Sequence, residues 1–89
     1  MKQVLNFEEI KAGDILKTTY KDYFIKVTET TVVEGGYNRH RIWGEYYWPM
    51  NDLELGLYDM KDCYLAFGET YQFFFVKKFE REPKGFGSL

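Results

Sequence analysis

The sequence predicts a small all-β domain, a compact barrel or a strongly curved sheet of five or six strands. The first observation is composition: Phe, Tyr and Trp make up 20% of the 89 residues and supply large side chains for a core. The second is that apolar and polar residues alternate, with a period of two, over several short segments. The third is that turn-forming residues recur about every 8–12 residues, as in sandwiches and barrels.

The N-terminal third predicts one short helical turn followed by antiparallel strands. Asn6 and Glu9 have the spacing of a capping box, and Gly13 can end the turn in a left-handed conformation. Leu5 and Ile10 are expected to pack onto the barrel. The strands that follow are predicted at residues 15–20, 23–28 and 30–33, with turns at Lys21-Asp22 and Glu34-Gly35-Gly36.

The middle of the chain predicts a long strand and then an ambiguous segment. The strand covers residues 37–48 and carries Gly44 at its middle, where we expect a bulge or a sharp bend. Residues 53–67 fit two strands, which we favour. The alternative is a helix, because an apolar stripe with helical spacing also runs through Leu57, Met60, Tyr64 and Phe67.

The C-terminal part predicts a last strand and a tail. Residues 71–79 are apolar on both faces, which indicates a central strand or a dimer contact. Pro, Gly and Ser cluster in residues 83–89 and predict a flexible tail. Residues 1–82 are therefore expected to form a single domain.

The opening residues resemble a known type of fold. The run Lys11-Ala12-Gly13-Asp14-Ile15-Leu16, followed by a strand, a tight turn and a second strand, is similar to the start of many SH3-like barrels. The resemblance covers about the first thirty residues. Together with the expected strands it predicts an SH3-like or OB-like barrel, and a likeness of fold implies no function.

Composition and charge restrict the classes of protein to consider. Cys63 is the only cysteine, whereas small secreted domains usually contain several disulfides. Residues 1–9 lack the apolar region of a signal peptide, and the longest apolar run, residues 73–76, is too short to span a bilayer. We therefore expect a cytoplasmic protein with no membrane partner. A net charge of −2 argues against binding of duplex DNA through its phosphates.

Residues with catalytic or metal-binding chemistry are few. His40 is the only histidine and has two arginine neighbours, so we expect a half-buried core histidine rather than a metal ligand. Cys63 follows an acidic residue, which disfavours a reactive thiolate, and we expect a buried structural thiol. Carboxylate pairs occur, but a domain of this size has little room for the pocket that glycosidase chemistry needs. The sequence predicts a protein that is not an enzyme and holds no metal or cofactor.

Candidate binding residues lie on the strand over residues 37–48. If the register is continuous across Gly44, one face combines aromatic side chains with arginines, which are common in binding hot spots. The partner-binding residues predicted on this face are Tyr37, Arg39, Arg41, Trp43 and Tyr47. The alternative is that Trp43 and Tyr47 only cover an opening of the barrel, with arginine stems over them. The opposite face is expected to be core and carries Asn38, His40, Ile42, Tyr46 and Trp48.

A second candidate surface is acidic. Residues 45–69 contain six acidic residues and one base, Lys61. The acidic face predicted from this segment consists of Glu45, Asp52, Glu54, Asp59 and Asp62. Carboxylates beside aromatic rings suit the basic groove of a partner protein, whereas a solvated acidic face is the simpler alternative.

The function that the sequence predicts is a non-catalytic module that docks on another protein. We expect a domain of this kind to suit an accessory protein of a phage or mobile element that modulates a host factor. One alternative is a small barrel that binds single-stranded nucleic acid by stacking bases on Trp43 and Tyr47 beside the arginines. Another is a structural subunit that self-associates as a homodimer through residues 71–79.

Overall fold

A computed structural model describes residues 1–59 and 63–85 and shows one mixed β-sheet. The strands are β1 (Lys2–Gln3), β2 (Ile15–Thr18), β3 (Phe24–Val32), β4 (His40–Pro49), β5 (Glu54–Asp59), β6 (Leu65–Ala66), β7 (Phe73–Val76) and β8 (Glu82–Gly85). Their order in the sheet is β1-β7-β2-β3-β4-β5-β8, and β6 pairs with the first part of β4. All pairs are antiparallel except β5 with β8.

The all-β prediction is confirmed, but the sheet is open and has eight strands rather than five or six. Within the described residues β1 and β8 end the order and do not pair with each other, so the sheet does not close into a barrel. The strands that the sequence missed are short. Strand β1 has two residues, too few for a period of two to be detected.

A 3-10 turn, Phe7–Glu9, connects β1 to β2. The Glu9 carboxylate accepts hydrogen bonds from the backbone N–H groups of Asn6 and Leu5, at 2.9 and 3.0 Å, and these bonds lower the pKa of Glu9. Ile10 is buried as expected, but the expectation that Leu5 packs inward is wrong. Val4 is buried instead. Its N–H donates to the carbonyl of Phe73 and so continues the pairing of β1 with β7, and alternation along this extended segment places the next side chain, Leu5, on the outer side.

The first hairpin turns at the predicted position. A backbone hydrogen bond of 3.1 Å joins Tyr23 to Tyr20, and the residues between them, Lys21 and Asp22, have φ of 52° and 58°. Positive φ at both central positions is typical of the turn whose twist matches an antiparallel pair. Lysine adopts this conformation rarely, so Lys21 is held in an uncommon backbone geometry.

Strands β3 and β4 form a long pairing joined by the predicted glycine turn, in which Gly35 and Gly36 both have φ of 73°. The predicted irregularity lies beside Gly44, but the extra residue is in β3, where the register shifts between Val27 and Glu29. Strand β4 has no insertion, so alternate residues of β4 keep to opposite faces along its length.

The described part of residues 53–67 contains two strands, so there the strand prediction is confirmed and the helical alternative is wrong. Both β5 and β6 pair with β4, at successive positions along it. Leu55 is buried, as the alternation indicates. The predicted turn between the strands includes residues 60–62, which lie outside the described residues.

Strand β7 is an inner strand, as its two apolar faces predict. It pairs with β1 on one side and β2 on the other, so the free edge that the dimer hypothesis assumed is not available at Phe74 and Phe75. Residues 83–85 of the predicted tail lie in β8, beside β5, and residues 86–89 lie outside the described residues. The parallel pairing requires the chain after β7 to cross from one side of the sheet to the other.

Each face of the sheet carries its own apolar cluster. The main core includes Leu16, Ile25, Ile42, Tyr46 and Phe73 of the sheet, with Val4, Phe7 and Ile10 packed against them. On the opposite face, Phe24, Tyr47 and Leu55 form a second cluster. Phe79, from the crossing segment, covers this second cluster, with its ring centroid 4.4 Å from that of Tyr47 and 5.8 Å from that of Phe24. Over residues 1–59 and 63–85, no helix has the length and apolar character needed to cross a membrane.

Candidate binding cleft

An open cleft of about 590 Å³ lies beside the main core, between the first hairpin and the paired ends of β4 and β5. Its volume is within the range of about 300–1,000 Å³ that is common for ligand sites. Of the nine described residues that line it, six are aromatic and one is charged. The lining residues are Tyr20, Lys21, Tyr23, Tyr46, Trp48, Pro49, Tyr58, Tyr64 and Leu65.

Strand pairing explains why the aromatic residues meet here. Tyr46 and Trp48 are two residues apart on β4 and therefore share a face. Tyr58 of β5 is the register partner of Tyr46 and lies on that face too. The first hairpin adds Tyr20 and Tyr23, whose ring centroids are 5.5 Å apart with an angle of 88° between the ring planes. The first hairpin, β4 and β5 thus bring aromatic residues to one place.

Trp48 packs against a glycine. Gly56 is its register partner on β5, and a Cβ at Gly56 would come within 2.5 Å of the indole ring. The missing side chain lets the indole lie close to the backbone of β5, with its ring centroid 6.1 Å from that of Tyr58. A side chain larger than hydrogen at position 56 would therefore overlap the indole where it lies now.

Tyr46 forms the buried base of the cleft, with 1% of its surface exposed. Its hydroxyl donates a hydrogen bond of 3.1 Å to the carbonyl of Ile42, and burial raises the pKa of Tyr46 above its ordinary value. The hydroxyls of Tyr20, Tyr23 and Tyr58, in contrast, make no hydrogen bond with the described part of the chain.

The predicted partner-binding residues are distributed over different environments. Tyr37 lies in the glycine turn before β4 and is 95% exposed. The Arg39 Nε donates to the carbonyl of Val33, at 3.4 Å. Tyr47 is 6% exposed, within the second cluster, and its hydroxyl donates to Glu45 at 2.8 Å. Burial, and then the hydrogen bond and charge of Glu45, raises the pKa of Tyr47 to about 12.

Arg41 and Trp43 meet at Tyr64. The guanidinium of Arg41 lies 4.3 Å from the centroid of the Tyr64 ring, and the Trp43 ring centroid lies 5.2 Å from it. The Trp43 Nε1 donates to the hydroxyl of Thr31, at 2.8 Å. Because Tyr64 also lines the cleft, two of the predicted binding residues contact the cleft through one shared tyrosine.

The predicted acidic residues do not share one face. Glu45 and Glu54 point to opposite sides of the sheet, because the register pairs odd-numbered residues of β4 with odd-numbered residues of β5. Glu54 forms an ion pair of 3.0 Å with a lysine of β8. Asp52 is exposed in the turn before β5, Asp59 is the register partner of Glu45, and Asp62 lies outside the described residues.

His40 and Cys63 lie in contrasting environments. His40 is half-buried, and its ring centroid is 4.8 Å from that of Phe7, as expected for a core histidine. Cys63 is exposed, so the prediction of a buried thiol is wrong. The reason is that β6 begins only at Leu65, and Cys63 precedes it outside the sheet. Among the described residues, no group of three or more His, Cys, Asp or Glu is placed to hold a metal ion.

The lining of the cleft has a simple chemistry. Its described residues combine aromatic rings and hydroxyls with one ammonium group, and none of them carries a carboxylate or a side-chain amide. No family model, curated protein or solved structure matches the chain. The chemical character of the lining is therefore the guide to what the cleft binds.

Sequence reasoning did not single out this cleft. Alternation assigned Tyr46 and Trp48 to the core face, and their direction is confirmed. The core face continues beyond the core, however, and no described segment covers its far end. The available signal was the position of Tyr20, Tyr23 and Tyr58, which are aromatic residues next to turns, where full burial is hardest to achieve.

Proposed function

We propose that the protein is a non-catalytic module that docks on another protein through this cleft. The observation that carries the proposal is the arrangement of six aromatic residues around about 590 Å³ of open space. Tyrosine and tryptophan dominate protein-binding hot spots, because they bury a large area at a low cost in side-chain entropy. Solvent-accessible rings that line a concave site are suited to receive side chains of a partner.

Electrostatics favour a protein partner over single-stranded nucleic acid. A strand that is bound without sequence preference needs a positively charged groove along its phosphates. Among the described residues that line the cleft, Lys21 alone is charged, and the whole chain has a net charge of −2. The guanidinium of Arg41 already stacks on Tyr64, so a base would have to displace it from that ring.

The predicted binding residues Arg41 and Trp43 belong to this proposal through their contact with Tyr64. We expect them to extend the contact at the rim of the cleft. Tyr37 is earlier in the chain, in the glycine turn, and is not among the described residues that line the cleft. It therefore offers a matched control, because it is a tyrosine with almost complete exposure.

The experiment is affinity capture from cell lysate with three forms of the protein: the unaltered chain, Tyr58→Ala and Tyr37→Ala. Tyr58 is 43% exposed, so its truncation should leave the fold intact, which thermal unfolding of each variant would verify. We expect protein partners to be lost with Tyr58→Ala and retained with Tyr37→Ala, each read by mass spectrometry with and without nuclease.

Two results would contradict the proposal. Capture that is lost after nuclease treatment, with nucleic acid recovered from the untreated sample, would support the nucleic-acid alternative. Partners that depend on Tyr37 and not on Tyr58 would transfer the binding function to the glycine turn.

A further inference from the structure

We infer that two copies of the chain pair through the outer edge of β3, over residues 29–32, as antiparallel strands related by a two-fold axis at Thr31. This contact is separate from docking through the cleft, because no residue of β3 is among the described residues that line the cleft. The observations behind it are a free strand edge, the side chains along that edge, and two opposite charges that the single chain keeps apart.

The outer edge of β3 is paired only over its first part. Strand β2 pairs with residues 24–26 of β3, and the bulge between Val27 and Glu29 follows soon after. Beyond the bulge, β3 pairs with β4 on one side, and no described strand pairs with it on the other. An unpaired edge of this kind is a template for the addition of another strand.

The backbone groups at this edge belong to Thr30 and Val32. The N–H of Val33 donates to the carbonyl of Arg39, at 2.9 Å, so Val33 directs its polar backbone groups toward the β4 side. Because these directions alternate along an antiparallel strand, residues 29 and 31 also face β4, whereas residues 30 and 32 face outward. No described residue forms a backbone hydrogen bond with the outward groups of Thr30 or Val32.

One register pairs these two residues with each other. Outward-facing residues of two antiparallel edges exchange hydrogen bonds, so Thr30 of one copy would lie opposite Val32 of the second copy, and the reverse. Each of these two pairs exchanges both of its backbone hydrogen bonds. The same register places Thr31 opposite Thr31 of the second copy, on the two-fold axis, and a cross-strand pair of threonines is favourable.

The side chains of residues 28–33 favour strand pairing. Apart from Glu29 they are threonines and valines, which are β-branched residues enriched in strands. The segment contains no lysine or proline, residues that commonly protect free edges. Val32 is 58% exposed, and a strand added at this edge would cover part of its side chain.

The charges at the edge are complementary in this register. Glu29 would lie opposite Val33 of the second copy, and Arg39 is the next residue across the sheet on the same face. The Arg39 Nε donates to the carbonyl of Val33, at 3.4 Å, which holds the guanidinium beside that residue. Glu29 and Arg39 are both exposed, and neither forms an ion pair with a described residue. Within one chain Glu29 pairs with Trp43, about 13 Å along β4 from Arg39.

The charges favour a second copy over a strand of another protein. Any strand can use the outward backbone groups, because main-chain hydrogen bonds supply the affinity of strand addition. A two-fold dimer requires a patch that is complementary to itself. This edge meets that requirement, because Glu29 of each copy would approach Arg39 of the other.

Sedimentation by analytical ultracentrifugation tests for the dimer. Because the contact is small, we expect a weak dimer, half formed at about 0.1 mM, so sedimentation is followed from about 10 µM to about 1 mM. Thr30→Pro should abolish it, because proline removes an outward N–H and leaves the hydrogen bonds to β4 intact. Thermal unfolding verifies that this variant is folded.

Exchange of the two charges separates an effect on the interface from an effect on folding. Glu29→Arg and Arg39→Glu should each weaken dimerisation about fivefold, because each sets like charges against one another. The double variant should recover most of the lost affinity. Because both residues are exposed, these variants decide the question even if Thr30→Pro does not fold.

A disulfide trap tests the register. In a Cys63→Ser background, Thr31→Cys should form a covalent dimer on mild oxidation, because the Cα atoms of such a directly opposite pair are about 4.5 Å apart. Val33→Cys is the matched control. It should give no covalent dimer, because the two copies of residue 33 are displaced by about 13 Å along the strands in this register.

Three results would overturn the inference. They are a monomer at every concentration, a dimer that the edge variants leave unchanged, and cross-linking through Val33→Cys rather than Thr31→Cys. A dimer that is lost with Tyr58→Ala instead would assign self-association to the cleft. If the chain stays monomeric and its capture of other proteins depends on Thr30 but not on Tyr58, the edge receives a strand of another protein, and the second copy is the wrong occupant.

Discussion

The two sides of β4 carry similar residues with different outcomes. Tyr47 points into the second cluster, where the rings of Phe24 and Phe79 enclose it and it retains 6% exposure. Its neighbour Trp48 points to the opposite face, where Tyr23, Tyr46 and Tyr58 stand around open space. Both sites are aromatic and belong to the same strands, but one is closed and the other is open.

The difference arises from the path of the chain rather than from the residues of the sheet. After β7 the chain must reach β5 to form the parallel strand β8, and in crossing it places Phe79 on the second cluster. On the other face, the N-terminal segment covers the main core with Val4, Phe7 and Ile10, and these residues do not reach the cleft. The cleft therefore remains open because the aromatic face of the sheet extends beyond the N-terminal segment that covers the main core.

The largest loss of stability is expected from a substitution in β4, the strand whose two faces carry the two sites. A Cβ at Gly44 would overlap the carbonyl oxygen of Lys26, because β3 and β4 approach closely beside the bulge. We expect Gly44→Ala to lower the free energy of unfolding by about 3 kcal/mol, measured by urea denaturation. Gly68→Ala is the control, since nothing lies within 4 Å of its Cβ position, and it should change stability by less than about 0.5 kcal/mol. Equal stability of the two variants would show that the approach of β3 and β4 is not a constraint.

Removing the cover of the second cluster has the next largest effect. Phe79→Ala deletes the ring that packs on Tyr47 and Phe24, and because Phe79 is only partly buried we expect a loss of about 2–3 kcal/mol. Urea denaturation measures the loss, with Tyr37→Ala as a control that should be nearly neutral. If Phe79→Ala were also neutral, the crossing segment would not explain why this side is closed.

The sequence was informative where local pattern decides the structure. The hairpin turns at Lys21-Asp22 and Gly35-Gly36, the placement of β7 inside the sheet and the faces of Ile42 and Tyr46 all follow from turn chemistry and alternation. Pairing between distant segments leaves no such local trace. Closure of a barrel, which did not occur, depends on whether the first and last strands meet, and no residue pattern encodes that directly.

The candidate site was harder to predict than the fold for the same reason. Alternation of apolar and polar residues indicates on which side of a strand a side chain lies. It does not indicate which other segment covers that side. Trp43 and Tyr47 lie on one face, yet Tyr47 is enclosed by a segment that is about thirty residues later in the chain. Trp48 lies on the face expected to be core and lines the cleft.

The enclosed tyrosine predicts a loss of stability at alkaline pH. Its folded pKa of about 12 exceeds the value of 10 in the unfolded chain, because burial and Glu45 disfavour the phenolate. The stabilisation from Tyr47 is therefore complete below pH 10 and declines as the pH rises from 10 to 12. Tyr46, whose pKa is also raised, acts in the same direction.

Urea denaturation at intervals between pH 9 and 12 measures this effect. Tyr47→Phe should lose less stability over the same interval than the unaltered chain, because it cannot ionise at this position. An identical pH dependence in both proteins would mean that Tyr47 is less enclosed than the second cluster indicates.

The smallest expected effect on stability is at the open site. A methyl group at Gly56 would meet the Trp48 indole at 2.5–2.6 Å, and the ring rather than the backbone must move. We expect Gly56→Ala to cost about 1 kcal/mol, less than Gly44→Ala, because the indole can swing toward the open cleft.

We expect Gly56→Ala to change the position of Trp48 and ligand binding more than it changes the free energy of unfolding. In a Trp43→Phe background Trp48 is the only tryptophan, so a change in its emission reports the displacement of its ring. We expect a shifted emission together with weaker ligand binding, while Gly68→Ala in the same background changes neither. Unaltered emission and binding would mean that Gly56 does not position Trp48. A global loss of stability as large as that of Gly44→Ala would mean that Trp48 is as tightly enclosed as Tyr47, and the contrast between the two sides of β4 would then be lost.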